Sequence, residues 1–349
     1  MTAADPAAPA ERSGPPAEPV GNVVAFGGGH GLSATLRALR RLGCAPTAVV
    51  TVADNGGSSG RLRRSRSILP PGDLRQALAA LAAEDDTSAT NARLMQHRFA
   101  GTDELAGHAV GNLLLLGLFE VLGDPVVALD HAAELVRATG RVLPMSRTPL
   151  SIEASVRGAD PERPAETVTV RGQHEVAVST GAVRQVRLTP ESPAACAEAV
   201  AAVGAADWLL LGPGSWYTSV IPHLLVPELR AAIVASPARR LITLNLATES
   251  ETSGLSPADH LVELRRYLPG LRADVVLADA ALTDARVMGE TVALGAAAES
   301  LGARLGTAPV AAADGAPRHD PAALAVALED ILGSNKPILG SQVDRVDVR

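Results

Sequence analysis

Three times this chain runs from a short strand-like segment straight into a glycine-rich turn: VVAF into GGGHGLS at 23–33, AVVTVA into DNGGSSGRLR at 48–63, and WLLL into GPGSW at 208–216. The first and third turns then lead into a residue pattern compatible with a helix. Strands buried on both faces read as nearly continuous apolar runs, and a helix between two neighbouring strands makes them parallel, with a right-handed crossover. The expected fold class is therefore α/β: a Rossmann-like parallel sheet with helices on both faces. Composition agrees. Hydrophobic residues make up 47% of the chain but aromatics only 2%, so the core is built from Leu, Val, Ala and Ile, which suits helices packed on a parallel sheet.

The 349 residues exceed one compact core and suit a domain carrying an insertion. Residues 1–21 are Ala, Pro and Glu with few large apolar side chains, and read as a disordered tail. The α/β domain is expected over 22–335, with a C-terminal tail over 336–349. Strands are expected at Val23–Phe26, Ala48–Ala53, Trp208–Leu211, Leu241–Leu246 and Asp274–Leu277, and helices at Leu32–Leu42, Ala194–Val203 and Pro257–Tyr267. The stretch from Pro71 to Leu135 reads as mostly helical. Between about 141 and 190 the pattern changes to alternating or β-branched runs at Ser151–Val156, Glu166–Val170 and Val183–Leu188, which reads as a small β-rich insertion.

Several function classes are disfavoured. Cys44 and Cys196 are too few for a disulfide framework or a cysteine-based metal site. The single lysine, Lys336, leaves no upstream Walker or Schiff-base lysine, so phosphate recognition falls to backbone amides and arginine. A net charge of −7 argues against a nucleic-acid coat. No run approaches the roughly 20 apolar residues of a membrane span, and no signal-peptide pattern opens the chain, so a cytoplasmic location is expected.

The candidate ligand-binding residues cluster in five segments. In the first turn, Gly29, Gly31 and Ala34 fit G-x-G-x-x-A, where missing side chains let backbone amides approach a diphosphate at a helix N-terminus; Gly28, Gly29, His30, Gly31, Leu32 and Ser33 are its candidates. Asp54 stands where a ribose-binding acid is expected, and Asn55, Gly56, Gly57, Ser58, Ser59 and Arg61 follow in a second anion nest. Asp73 and Gln76 read as an N-cap with a capping-box partner; alternatively Asp73 joins Asp54 around Mg²⁺. Gly212, Gly214, Ser215 and Thr218 line the same crevice if their strand neighbours the first. His108 and Asn112 read as i, i+4 on one helix face, more as satisfied core groups than as ligand contacts, with Asn112 kept as a candidate.

The ordered set GGGHGLS, VTVADNGGSSGRLR, PPGDLRQALAAL, QHRF, GHAVGNLLL, GRVLP, LLGPGSWYTSVIPHLL and ETSGLSPADH resembles the YvcK family of gluconeogenesis factors, related to CofD-like transferases, from about Val23 to Asp279. The resemblance implies a cytoplasmic bacterial protein needed for cell shape and wall homeostasis on gluconeogenic carbon sources, binding UDP-sugars such as UDP-N-acetylglucosamine. It further implies a protein partner in cell-wall regulation. Related CofD-like enzymes move a phospholactyl-type group from a guanosine diphosphate donor with Mg²⁺ held by aspartates, and Asp54 and Asp73 occupy the matching motif positions. His30 stands where the family usually has threonine, and Asn55 where a second aspartate is commoner. The leading expectation is a nucleotide-sugar-binding regulator without turnover, because no spacing identifies a catalytic triad. A Mg²⁺-dependent transferase is the alternative. An NAD-dependent oxidoreductase is suggested only by the glycine turn and lacks evident hydride-transfer groups. A homo-oligomer is left open.

Overall fold

A computed structural model describes residues 20–160, 162–283 and 288–333. The expected C-terminal tail, Lys336 included, and all but the last two residues of the N-terminal tail lie outside them. In chain order the elements begin with β1 (Val23–Gly27), α1 (Gly29–Arg41), β2 (Thr47–Val50), α2 (Gly57–Arg63), α3 (Pro71–Leu81), α4 (Asp86–Gln96), α5 (Val110–Leu122), α6 (Pro125–Leu135) and β3 (Arg141–Pro144). A β-rich segment follows: β4 (Ser151–Arg157), β5 (Thr167–Arg171), α7 (Gln173–Ala177) and β6 (Ala182–Thr189). The chain then runs α8 (Ala197–Gly204), β7 (Trp208–Leu211), a π-helical turn (Trp216–Val220), α9 (Ile221–Leu224), α10 (Pro227–Ala235), β8 (Arg239–Thr243), α11 (Pro257–Tyr267), β9 (Val275–Asp279), α12 (Met288–Ser300), β10 (Arg304–Ala308) and α13 (Pro321–Leu332).

Seven strands form one parallel sheet in the order β10-β9-β8-β7-β1-β2-β3. β1 is buried along its whole length, as its apolar run requires of a central strand. Helices flank the sheet; α1 packs on α3 and α13, α8 on α10, and α11 on α12. From β1 the chain adds β2 and β3 on one side, then returns to add β7 through β10 on the other. The order therefore reverses between β1 and β7, and ligands of open α/β sheets bind beyond the carboxyl ends of the strands at such a point. The first and third glycine turns leave β1 and β7, and Asp54 follows β2.

The smaller sheet, β5-β4-β6, is antiparallel. Ile152, Ala154 and Val156 alternate inward along β4 and join the core with Val183, Val186 and Leu188 of β6. Among the described residues no single helix is long and apolar enough to cross a membrane; one helix pair passes only when taken together, and it is bent by 83°.

The second glycine run turns helical at Gly57, where α2 spans seven residues. Four local expectations are corrected. Helix α1 starts at Gly29, three residues early, because glycines carry no apolar stripe to register the first turn. Asp73 is not an N-cap: Pro70 caps α3 and Pro71 opens it, its fixed φ suiting the first helical position. RVLP at 141–144 is an edge strand of the main sheet, pairing with β2, so the antiparallel sheet begins at Ser151. His108 precedes Ala109, the N-cap of α5, and so does not share a helix face with Asn112.

Candidate functional site

The first and third glycine turns interlock. A Cβ on Gly31 would lie 2.2 Å from the carbonyl oxygen of Pro213, and one on Gly28 would lie 2.4 Å from Asp73 Oδ2. Neither turn could approach its neighbour with side chains there. Asn245, just past β8, fastens the third turn from outside: its Oδ1 accepts from the Gly214 N–H at 2.8 Å and its Nδ2 donates to the Gly214 carbonyl at 2.9 Å. The turns thus form one rigid wall at the switch point. Helix α1 begins there with no side-chain cap and no acidic residue in its first turn, and early helix N–H groups lacking intrahelical partners suit an anion.

Asp54 and Asp73 meet on the other side of the first turn. Asp54 Oδ1 accepts from the Gly56 N–H at 2.7 Å, while Ser59 Oγ accepts from the Gly72 N–H at 3.0 Å and bonds Asp54. Burial raises the Asp54 carboxyl above its ordinary value against those hydrogen bonds and the charge of Arg63. Asp73 is pushed up to about 7, first by loss of solvent and then by the charge of Asp54, while the Gly29 N–H and Arg75 pull it down. Two carboxylates in a poorly solvated crevice resist joint ionisation. Among the described residues no group of three or more His, Cys, Asp or Glu could hold a metal. Two carboxylates nevertheless fit Mg²⁺, which commonly completes its coordination with water and ligand phosphates.

The structure sorts the other candidates by what they touch. Leu32 is buried in the core, and its N–H bonds to Gly28 O at 3.4 Å. Ser58 and Asn112 belong to a buried chain: Arg75 Nε donates to Asn112 Oδ1 at 2.9 Å, Asn112 Nδ2 donates to Ser58 Oγ at 3.0 Å, and His108 Nδ1 lies 2.9 Å from that hydroxyl. The chain ties α2 to α3 and α5. Thr218 is buried beside Glu251, its carbonyl taken by Gln173 Nε2, and Ser215 hydrogen-bonds Glu249. Asn55 accepts from the His174 N–H at 2.9 Å and donates to Glu175 at 2.8 Å, holding α7 over the loop after β2. Gly28, Gly29, His30, Gly31, Ser33, Gly214 and Asp73 remain gathered at the interlocked turns.

A cavity of about 400 Å³ opens against those turns, bordered by Arg37, Asn245, Glu249, Arg318 and His319 in addition to His30, Gly31, Ser33 and Gly214. None of those five had been singled out from the sequence. Asn245 carried a readable signal, since it follows a buried strand at the same sheet edge, but Arg318 and His319 lie in ADGAPRHD, which has no motif. His319 is only 8% exposed, and its Nε2 has no hydrogen-bond partner. Burial pushes it down to about 4, so its imidazole is neutral near pH 7. Burial also raises the Glu249 carboxyl.

Sequence and structure comparisons converge. The family model described as 2-phospho-L-lactate transferase CofD matches residues 23–304. A Mycobacterium tuberculosis protein named "Putative gluconeogenesis factor" is 48% identical over 331 residues, covering 93% of this chain and 96% of the relative. A Bacillus subtilis protein named "Gluconeogenesis factor" is 36% identical over 247 residues, covering 70% of this chain and 74% of the relative. The crystal structure of a UPF0052 family member from Bacillus halodurans superimposes with a TM-score of 0.76 at 32% identity, covering 88% of this chain and 98% of that one.

Proposed function

The chain belongs to the CofD family, alongside relatives that carry the gluconeogenesis-factor name, and from that premise we propose that it is a cytoplasmic nucleotide-sugar-binding regulator. The ligand is UDP-N-acetylglucosamine or a close analogue, and the role is control of cell shape and wall synthesis during gluconeogenic growth through a protein partner. The observation that carries this reading is the cavity of about 400 Å³ opening beside the start of α1, whose N-cap residue Gly28 has no side chain to occupy the amides beyond Gly29. Its volume falls within the common range for small-molecule sites of about 300–1,000 Å³.

In this reading the diphosphate lies at the start of α1, met by backbone N–H groups and the Ser33 hydroxyl, with Arg37 offsetting its charge and Arg318, itself paired with Asp314, at the cavity's edge. The uncharged end of the ligand enters the cavity, packing beside the neutral ring of His319. Asn245 is a positioning residue, because both ends of its amide are engaged by Gly214. Titration calorimetry with UDP-N-acetylglucosamine tests the proposal: saturable binding is expected, and its absence at millimolar ligand refutes it.

The proximity of Asp54 and Asp73 favours one second reading, a Mg²⁺-dependent CofD-like transferase of the 2-phospho-L-lactate type using a nucleotide diphosphate donor. Asp54 and Asp73 would hold the ion, which would stabilise negative charge developing on the leaving phosphate. Gly56, Ser59 and the Gly29 N–H orient the two carboxylates. Mg²⁺-dependent consumption of donor across an acceptor panel would favour this reading, and an unchanged donor would favour the regulator.

A further inference from the structure

The arginines of the second glycine turn do not face the cavity beside α1. Arg61, Arg63 and Arg64 border a separate cavity of about 430 Å³ between α2 and the start of β4. Arg63 and Arg64 also border a neighbouring one of about 400 Å³ that reaches Arg66, so the two cavities lie side by side along a groove walled by these arginines.

Two of these guanidinium groups are set in place by neutral partners. Arg63 donates to the backbone carbonyls of Asp54 and Leu150, each at 2.7 Å, and Arg61 donates to the Ala106 carbonyl at 2.7 Å. Among the described residues no carboxylate makes an ion pair with Arg61, Arg63 or Arg64. Backbone oxygens fix a guanidinium without cancelling its charge, and a fixed guanidinium fork suits the planar, bidentate recognition of phosphate or carboxylate. The Asp54 carboxylate acts on Arg63 only through space.

Acids stand near these arginines: Glu175, held by Asn55, borders the first cavity, and Glu120 pairs with Arg66 at 3.0 Å. Interspersed acids favour a short ligand over an anionic polymer, as does the chain's net charge of −7. We propose that this groove is a second ligand site, distinct from the nucleotide-sugar cavity, which takes a small phosphate-bearing anion on Arg61, Arg63 and Arg64. The assignment goes beyond the nucleotide-sugar reading and does not depend on it.

Inorganic pyrophosphate is the probe, titrated calorimetrically into the full chain in phosphate-free buffer. Saturable binding is expected. The double variant Arg61→Gln/Arg64→Gln should weaken binding at this groove roughly ten-fold or more, and should do so equally in the wild type and in an Arg37→Gln background, where the other cavity's hold on a diphosphate is reduced. Arg63 is left intact because it ties Asp54 to Leu150, and an unchanged urea midpoint for the double variant confirms its fold. UDP-N-acetylglucosamine affinity, read on the same variants, should respond to Arg37→Gln and not to the double variant. The inference is overturned if pyrophosphate does not bind, if the double variant keeps wild-type affinity, or if the double variant loses both ligands together.

Discussion

Replacing Glu251 by glutamine should remove a loss of stability that wild type suffers as pH rises toward 7. Glu251 lies in the turn after Glu249, 2% exposed; its Oε1 accepts from the Tyr217 N–H at 2.8 Å, and its Oε2 is buried without a partner. Burial, opposed by the Tyr217 N–H and aided by the charge of Glu249, pushes its carboxyl from 4.5 up to about 7. Between those values the folded chain holds a proton that the unfolded chain releases, so stability from this group is complete below pH 4.5 and is lost as pH rises toward 7. At about 1.4 kcal/mol per pKa unit the loss is about 3 kcal/mol, constant at higher pH. Glutamine keeps the acceptor for Tyr217 and has no charge to lose. Urea unfolding of both proteins from pH 4.5 to 8 cancels the other titrating groups in the difference. The variant should gain on wild type steadily up to about pH 7 and then run parallel; a difference that stays flat across the range would refute the assignment.

Gly31→Ala should lower the urea midpoint by the equivalent of roughly 1–3 kcal/mol, as overpacking does, because its Cβ would meet the Pro213 carbonyl; an unchanged midpoint would show that the turns do not interlock. Arg37→Gln should weaken UDP-N-acetylglucosamine binding roughly ten-fold by calorimetry, and wild-type affinity would remove the ligand from that cavity. Asn55→Asp sets a carboxylate against Glu175 and should cost about 1 kcal/mol of stability in urea; adding Glu175→Gln should restore it, and failure to do so would mean that the pair does not hold α7.

The parallel sheet was legible because continuous apolar runs such as VVAF and WLLL admit few alternatives, and the small sheet because Ile152, Ala154 and Val156 alternate. Helix boundaries at glycine and proline were not legible in the same way. The start of α1 has no side chains to show periodicity, and Asp73 looked like a cap because its spacing to Gln76 is right, although Pro71 opens the helix earlier. RVLP was misassigned because an arginine and three apolar residues do not reveal which sheet they join. At the site, chemistry was easier to see than direction. Ser58, Asn112 and Thr218 are polar and near the turns, yet their bonds run into the protein, while Arg318 and His319 reach the cavity from nearly 300 residues beyond the first turn. Sequence spacing contains nothing that would bring those two segments together.

The contact between Gly31 and Pro213, closed from outside by Asn245 and lined further by Arg318 and His319, makes the cavity a product of four distant stretches of chain. A partly folded protein with only β1 to β3 in place would have the first glycine turn but no cavity. A ligand that needs all four stretches binds the finished fold alone, and stabilises it by RT ln(1 + [L]/Kd), about 2.7 kcal/mol when the ligand is at roughly a hundred times its Kd. Under the proposed function, the amount of intact protein in a cell would then follow the supply of nucleotide sugar, since the same pool that engages the site would protect the chain from unfolding and proteolysis.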